Sequence, residues 1–188
     1  MRKPLEEYDL EIPVDDLKME IMMGRDKANF ESQKIWLYVG ADNSNPGFAK
    51  IGMTMGDLRS RSYSSANPNY YLFCAFQCDQ STTKEQLVSI EQSALVYLDS
   101  IFKWESGLTK RRPHTQSQIL SECYYNINFE EFFVTLHDYL IENHVRYFQT
   151  SEYENEAGHD DGYALWCFFN PHLAPNVIKY FERRIRRF

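Results

Sequence analysis

The stretch Ile35–Arg61, IWLYVGADNSNPGFAKIGMTMGDLRSR, predicts a β-hairpin that is followed by the start of a helix. Its first part, 35–40, is rich in β-branched and aromatic residues, which are typical of a buried strand. Asn, Pro and Gly at 45–47 are turn residues, and the alternation over 48–53 indicates a second strand. Asp57 is a favourable N-cap residue for the helix that follows.

The predicted hairpin brings a phenol and an ammonium group to the same part of a sheet. Strand alternation places Tyr38 on one face of the first strand and Lys50 on one face of the second strand. Arg59 and Arg61 follow at the start of the helix, so two guanidinium groups arrive just after this pair.

A carboxylate interrupts the apolar stripe of the clearest predicted helix. Thr82 and Glu85 form the pattern of a capping box at its start. Leu87 and Ala94 belong to the inward stripe, and Glu91 lies between them. Since a carboxylate on the apolar side of a helix costs free energy unless a partner compensates it, Glu91 is a candidate site residue.

The order of these motifs resembles the core of the GIY-YIG endonuclease superfamily. Tyr38 within Trp-Leu-Tyr, followed by Lys-Ile-Gly-Met-Thr over 50–54, is most similar to the phage and bacterial branch of that superfamily. Glu91 on a downstream helix and Ser-Glu-Cys-Tyr over 121–124 follow in the same order. The resemblance extends over residues 34–147.

The resemblance implies a site for phosphodiester hydrolysis, which needs an activated water and neutralisation of charge on the phosphoryl oxygens. It implies Tyr38 near the water, a helix arginine on the phosphate and Glu91 on the metal. Mg²⁺, or Mn²⁺ in its place, suits Glu91 because Mg²⁺ often takes one or two carboxylates and keeps its waters. The superfamily has a second tyrosine at the position of Lys50. The close branch has a lysine there too, so the resemblance puts a mechanism that needs two phenols in doubt.

Two arginines compete for the role on the phosphate. Counting from the Asp57 cap favours Arg61, whereas counting back from the Ser-Ser-Ala at 64–66 favours Arg59. We prefer Arg61 because the start of the helix is the better anchor.

The hairpin and the apolar segment 70–78 predict an α+β fold, α/β-sandwich-like, with a small three-stranded antiparallel sheet flanked by helices. We divide the chain into an N-terminal helical extension (1–33), a nuclease-like domain (34–147) and a C-terminal region (148–188) with an acidic linker and a basic helix. The N-terminal extension is expected to pack on the domain or on a second copy in a homo-oligomer.

The formal net charge of −7 argues against simple nucleic-acid binding, which favours basic proteins. The basic residues are nevertheless segregated into two groups. We predict that these groups bind DNA: Lys110, Arg111, Arg112 and His114 in one polar loop, and Arg183, Arg184, Arg186 and Arg187 on the final helix.

The chain carries no sign of a membrane or secreted protein. No apolar run reaches the ~18 residues of a transmembrane helix, and the N-terminus lacks the apolar region of a signal peptide. The four cysteines are interpreted as reduced thiols. The sequence therefore predicts a cytoplasmic protein without a membrane partner.

Together these features predict a divalent-metal-dependent DNA endonuclease of phage or mobile-element type. Two alternatives stay open. One is a catalytically inactive nucleic-acid-binding module with the same fold. The other is a protein-interaction factor, which an acidic surface would suit.

Overall fold

The computed structural model describes residues 7–12, 16–31, 34–56, 58, 67–154 and 157–188. The described chain contains helices and strands in this order: α1 (Leu17–Glu31), β1 (Trp36–Asp42), β2 (Ala49–Thr54), β3 (Tyr70–Gln77), α2 (Lys84–Ile101), β4 (Arg111–Pro113), β5 (Leu120–Tyr124), α3 (Phe129–His144), a 3-10 turn (Val145–Tyr147), β6 (Thr150–Glu154), β7 (Asp160–Leu165), β8 (Cys167–Phe169) and α4 (Pro175–Ile185).

The main sheet has six antiparallel strands in the order β4-β5-β2-β1-β3-β8. The α+β class stands and the predicted hairpin is present, but the prediction of a small three-stranded sheet is wrong. The strands left out of the predicted sheet, β4, β5 and β8, have three to five residues each. Such short segments carry no local alternation signal, because pairing with β2 and β3 rather than intrinsic propensity makes them strands.

A second, two-stranded sheet lies where an acidic linker was expected. Strands β6 and β7 pair antiparallel, from Thr150 opposite Leu165 to Glu154 opposite Asp160. Along β6 the exposed acids Glu152 and Glu154 alternate with less exposed residues, which is the pattern of a strand on a surface. The acidic composition of this segment masked that alternation.

The core lies between the helices and one face of the main sheet, which we call the core face. Leu37, Val39 and Ile51 of the hairpin project there and are fully buried. Leu98 of α2 and Leu136 of α3 cover them from the helix side in the same cluster. The strongly apolar hairpin is therefore what anchors both helices to the sheet.

Both principal helices begin at a capped residue. At the start of α3, Asn128 accepts a hydrogen bond from the Glu131 N–H. The cap of α2 is displaced by one residue from the prediction. Thr83 and Gln86 form the capping box there.

The two ends of the chain differ in how they pack. Phe181 and Ile185 of α4 are buried in the main core, so the final helix is an integral part of the fold. Leu17, Ile21 and Met22 of α1 are exposed. Among the described helices, none combines the length and the apolar character that crossing a membrane requires.

Candidate functional site

The strand residues of the candidate site lie on the face of the main sheet opposite to the main core; we call it the outer face. Tyr38 lies opposite Gly52 in the β1–β2 register, and Lys50 lies two residues before Gly52 on β2. Because alternate residues of a strand share a face, Tyr38 and Lys50 lie on the same side of the sheet. Tyr38 belongs to a small cluster that is separate from the main core and includes Trp36 and Leu72.

The position of the Tyr38 ring depends on the glycine opposite. A Cβ atom at Gly52 would lie 2.4 Å from both Cζ and Oη of Tyr38. The ring therefore fills the space that a side chain at position 52 would need. Position 52 of the Lys-Ile-Gly motif thus requires glycine, because only a residue without a side chain leaves room for the Tyr38 ring across β2.

A second phenol lies near Lys50, and the sequence interpretation missed it. A Cβ atom at Gly40 would lie 2.3 Å from Oη of Tyr70, so this ring covers Gly40 in the same way. Gly40 is the direct cross-strand partner of Lys50. Directly opposite residues have their Cβ positions about 5 Å apart, so the Tyr70 hydroxyl lies near the base of the Lys50 side chain.

Glu91 is half-buried on α2, and the pKa of its carboxyl is raised. Burial raises the pKa of its carboxyl to about 7, the Glu122 carboxylate adds to the rise, and the Lys50 ammonium opposes it. Lys50 is therefore close enough to Glu91 to act on its ionisation. A carboxyl group that titrates near neutrality is suited to proton transfer or to cation binding.

Strand β5 brings two further groups to this position. Cys123 pairs with Lys50 in the β2–β5 register, and Glu122 precedes it. Burial raises the pKa of the Cys123 thiol, whereas Lys50 lowers it. The Ser-Glu-Cys-Tyr segment was noticed in the sequence without a role for its glutamate. The structure adds Glu122 to the surroundings of Glu91 and Lys50.

The donor set at Glu91 fits a sparsely ligated divalent cation. Glu91 and Glu122 repel each other, and a bound cation would relieve that repulsion. In the described part of the chain, no three His, Cys, Asp or Glu side chains are grouped to hold a metal together. A Mg²⁺ ion that keeps most of its waters needs only one or two carboxylates.

The two arginines that compete for the role on the phosphate follow β2 in the sequence. Arg59 and Arg61 both lie outside the described residues, as does the Asp57 cap. The choice between the two arginines therefore stays a prediction.

The basic loop divides into structural and exposed members. Arg111 donates from Nε and Nη2 to the two oxygens of Asp99, at 2.9 and 2.6 Å. The Lys110 ammonium donates to the Asn126 carbonyl at 2.9 Å and lies over Trp104. Arg112 is exposed, with its guanidinium 4.3 Å from the Tyr125 ring centroid, and His114 is also exposed.

The arginines of the final helix are mostly engaged with acids of the protein itself. Arg184 bonds to Glu130, Arg186 pairs with Asp161, and Arg187 contacts both Asp138 and Glu142. Arg183 is exposed. These ion pairs hold α4 against α3 and β7, so a structural role accounts for three of the four arginines that were predicted to bind DNA.

Comparison of the chain with protein-family models, with curated proteins and with solved structures gave no match.

Proposed function

We propose that the protein is a divalent-metal-dependent endonuclease that hydrolyses phosphodiester bonds around Lys50 and Glu91. The observation that carries the proposal is the electrostatic coupling of Lys50 to Glu91, whose carboxyl has a pKa of about 7. A cation can neutralise charge on the phosphate, and a carboxyl that titrates near neutrality and two phenols can orient water or transfer protons. Phosphoryl transfer to water uses groups of these kinds.

Each group has a role that its chemistry supports. The Lys50 ammonium would bind a non-bridging oxygen of the scissile phosphate, as a point charge. The Tyr38 hydroxyl, held above Gly52, would orient the attacking water. The Tyr70 hydroxyl lies over Gly40, the cross-strand partner of Lys50, and is the candidate for a second contact to the phosphate or its leaving oxygen.

Glu91, with Glu122 beside it, would hold the cation, which supplies charge neutralisation at the phosphate when bound. Ligation requires the deprotonated carboxylate, so the protein would give up a proton from Glu91 near neutral pH. Cation binding would thereby tighten as the pH rises through 7.

The test is nicking of supercoiled plasmid, followed by gel electrophoresis with Mg²⁺, with Mn²⁺ and with EDTA. We expect nicking in either metal and none in EDTA. Glu91→Gln should lower the rate roughly 100-fold or more, as is usual when a principal electrostatic group is removed. Glu105→Gln, which changes an exposed acid in the loop after α2, is the matched control and should keep the full rate.

Two results would contradict the proposal. Equal nicking by wild type and Glu91→Gln would remove Glu91 from the chemistry. Binding of DNA without cleavage in either metal would favour the inactive binding module.

A further inference from the structure

We propose that Trp166 and Phe168 form a stacking surface for the unpaired bases of single-stranded nucleic acid. This inference rests on the proposed function and deepens it, because it names a single strand as the substrate that the outer face holds. We call Trp166, Phe168 and the underlying Trp36 the aromatic surface.

The aromatic surface lies on the same side of the sheet as Tyr38. Phe168 pairs with Ala75 in the β3–β8 register, and Ala75 pairs with Tyr38 in the β1–β3 register. Directly opposite residues project to one face, so Phe168, Ala75 and Tyr38 form a row across three strands. Ala75 and Tyr38 are buried within this row, and Phe168 is its solvent-exposed end.

The three rings lie close together with one of them buried. Trp36 is 6.1 Å from Phe168 and 5.9 Å from Trp166 between ring centroids, and it is only 5% exposed. Trp166 and Phe168 are 6.4 Å apart with 27° between their planes. Phe168 is 43% exposed at the end of the row. An exposed ring that packs against a second ring and a buried tryptophan is suited to stacking on the flat face of a base.

The exposure of this pair is not a by-product of core packing. Cys167 and Phe169, which alternate with them on the edge strand, pack against the main core. Alternation thus puts Phe168, and Trp166 just before β8, on the outer face, where Trp166 is partly buried and the exposed Phe168 ring costs free energy in water. A ligand that covers the rings would recover that cost.

Charge on the same face selects nucleic acid as the occupant. The Lys34 ammonium lies 5.8 Å from the Trp36 ring centroid, and Lys50 lies on the same face two residues before Gly52, the residue opposite Tyr38. Aromatic rings that alternate with cations are the chemistry with which proteins bind single strands, the rings stacking on bases and the cations holding phosphates. In a duplex the bases are stacked on each other and do not offer their faces.

The experiment is fluorescence anisotropy with a labelled oligothymidine of roughly 12 nucleotides, within the size that one single-strand site covers. EDTA is present throughout, so that no cleavage occurs. We expect Phe168→Ala and Trp166→Ala to weaken binding roughly 5- to 100-fold, as loss of base stacking does. Phe168→Tyr should restore the affinity, because tyrosine keeps the ring. Tyr163→Ala is the matched control, since Tyr163 is 44% exposed on β7 but lies outside the row.

Three outcomes would overturn the inference. The first is unchanged affinity of Phe168→Ala, with thermal melting showing that the variant is folded. The second is equal affinity for the oligothymidine and for a duplex of the same length. The third is a dimer in sedimentation that Phe168→Ala dissociates, which would make a second copy the occupant.

The failure of this inference is distinguishable from failure of the proposed function. If Phe168→Ala binds and cleaves like wild type, the aromatic surface is wrong and the endonuclease stands. If single strands bind through Phe168 in EDTA but no metal supports cleavage, the surface stands and the endonuclease is wrong.

Discussion

Tyr38 and Gly52 face each other across β1 and β2, and the tyrosine ring occupies the volume that any side chain at position 52 would take. The same relationship holds between Tyr70 and Gly40. The two glycines therefore position two phenols next to Lys50, one over its cross-strand partner and one over the residue two positions further along β2. Their cost in strand propensity is offset by the placement of these rings, which gives the outer face its shape.

Gly52→Ala is expected to displace the Tyr38 ring. The added Cβ would meet Cζ and Oη at 2.4 Å and Cε2 at 2.9 Å, so the ring has to move. We expect a loss of about 1–3 kcal/mol in the free energy of unfolding, as for other overpacked sites. Plasmid nicking should fall with it. Urea unfolding and the nicking assay measure the two effects.

Gly24→Ala in α1 is the matched control for this change. A Cβ at Gly24 meets nothing within 4 Å. Alanine favours a helix interior over glycine by about 1 kcal/mol, so we expect unchanged or higher stability and unchanged nicking. If both glycine variants behave alike, the ring contact at position 52 is unimportant.

Tyr70→Phe should lower the nicking rate roughly tenfold, because it removes a hydroxyl and keeps the ring over Gly40. The stability should change little. Tyr71→Phe provides the comparison, since Tyr71 follows Tyr70 in β3, lies on the opposite face of the sheet and pairs with Ala41, which lies in the main core. Equal rates for the two variants would exclude the Tyr70 hydroxyl from the site.

Glu91 is expected to make the free energy of unfolding fall as the pH rises. Its pKa is about 7 in the folded chain and 4.5 in the unfolded reference, so the folded state binds more protons between these values. That stabilisation is complete below pH 4.5 and is lost as the pH rises through 7. At pH 8 Glu91→Gln should be about 1–2 kcal/mol more stable than wild type, after allowance for solvent screening.

Urea unfolding at pH 5 and pH 8 tests this prediction. The two proteins should be equally stable at pH 5. Saturating Mg²⁺ at pH 8 should stabilise wild type alone, because the amide of glutamine is a weaker ligand for the ion. A variant that is less stable than wild type at pH 8 without metal would contradict the raised pKa.

The hairpin could be predicted from sequence because its signals are local. Alternation and turn residues locate β1 and β2, and the apolar segment locates β3. The shared face of Tyr38 and Lys50 follows from the same alternation. Glu91 was found as a carboxylate on an apolar stripe. Each of these inferences needs only neighbouring residues.

What depends on distant pairing could not be predicted. The register between β1 and β3 shifts between Val39 and Gly40, and this irregularity brings Tyr70 over Gly40. No local pattern encodes that shift. In the same way, Arg111 reads as a surface charge in sequence, and only the fold reveals its contact with Asp99.

Replacement by glutamine should destabilise the protein at Arg111 but not at the neighbouring Arg112. Asp99 accepts hydrogen bonds from Arg111, Thr109 and Tyr124, and the Arg111 side chain is only 12% exposed. Arg111→Gln removes the cation from this network, so we expect a loss of about 1–3 kcal/mol in the free energy of unfolding.

Arg112→Gln should leave stability within about 0.5 kcal/mol of wild type, because the side chain is exposed. If Arg112 contacts a phosphate, the variant should bind DNA more weakly and lower the salt dependence by about one unit. Anisotropy titrations at several salt concentrations measure this slope. An unchanged slope would remove Arg112 from the DNA contacts, and an unaffected stability of Arg111→Gln would remove Arg111 from the structural network.

His137 is expected to make the free energy of unfolding rise with pH, which is opposite in sign to the effect of Glu91. The buried imidazole accepts a hydrogen bond at Nε2 from the Leu165 N–H at 3.1 Å, while Nδ1 lies 3.4 Å from Asp138. Burial lowers its pKa, with the Asp138 carboxylate opposing and Arg187 adding to the decrease. On protonation Nε2 would carry a proton and could no longer accept from Leu165, so α3 would lose its polar contact with β7.

The sign of the effect follows from the lowered pKa. Unfolded chains protonate this histidine first as the pH falls below ~6.5, so its contribution is present above that value and lost as the pH falls through the folded pKa. His137→Gln should lower stability at pH 7.5 and remove this part of the acid dependence. His172→Gln, which changes an exposed histidine, should keep the wild-type pH profile. Urea unfolding between pH 5 and 7.5 makes the comparison, and a steeper acid loss in His137→Gln than in wild type would contradict it.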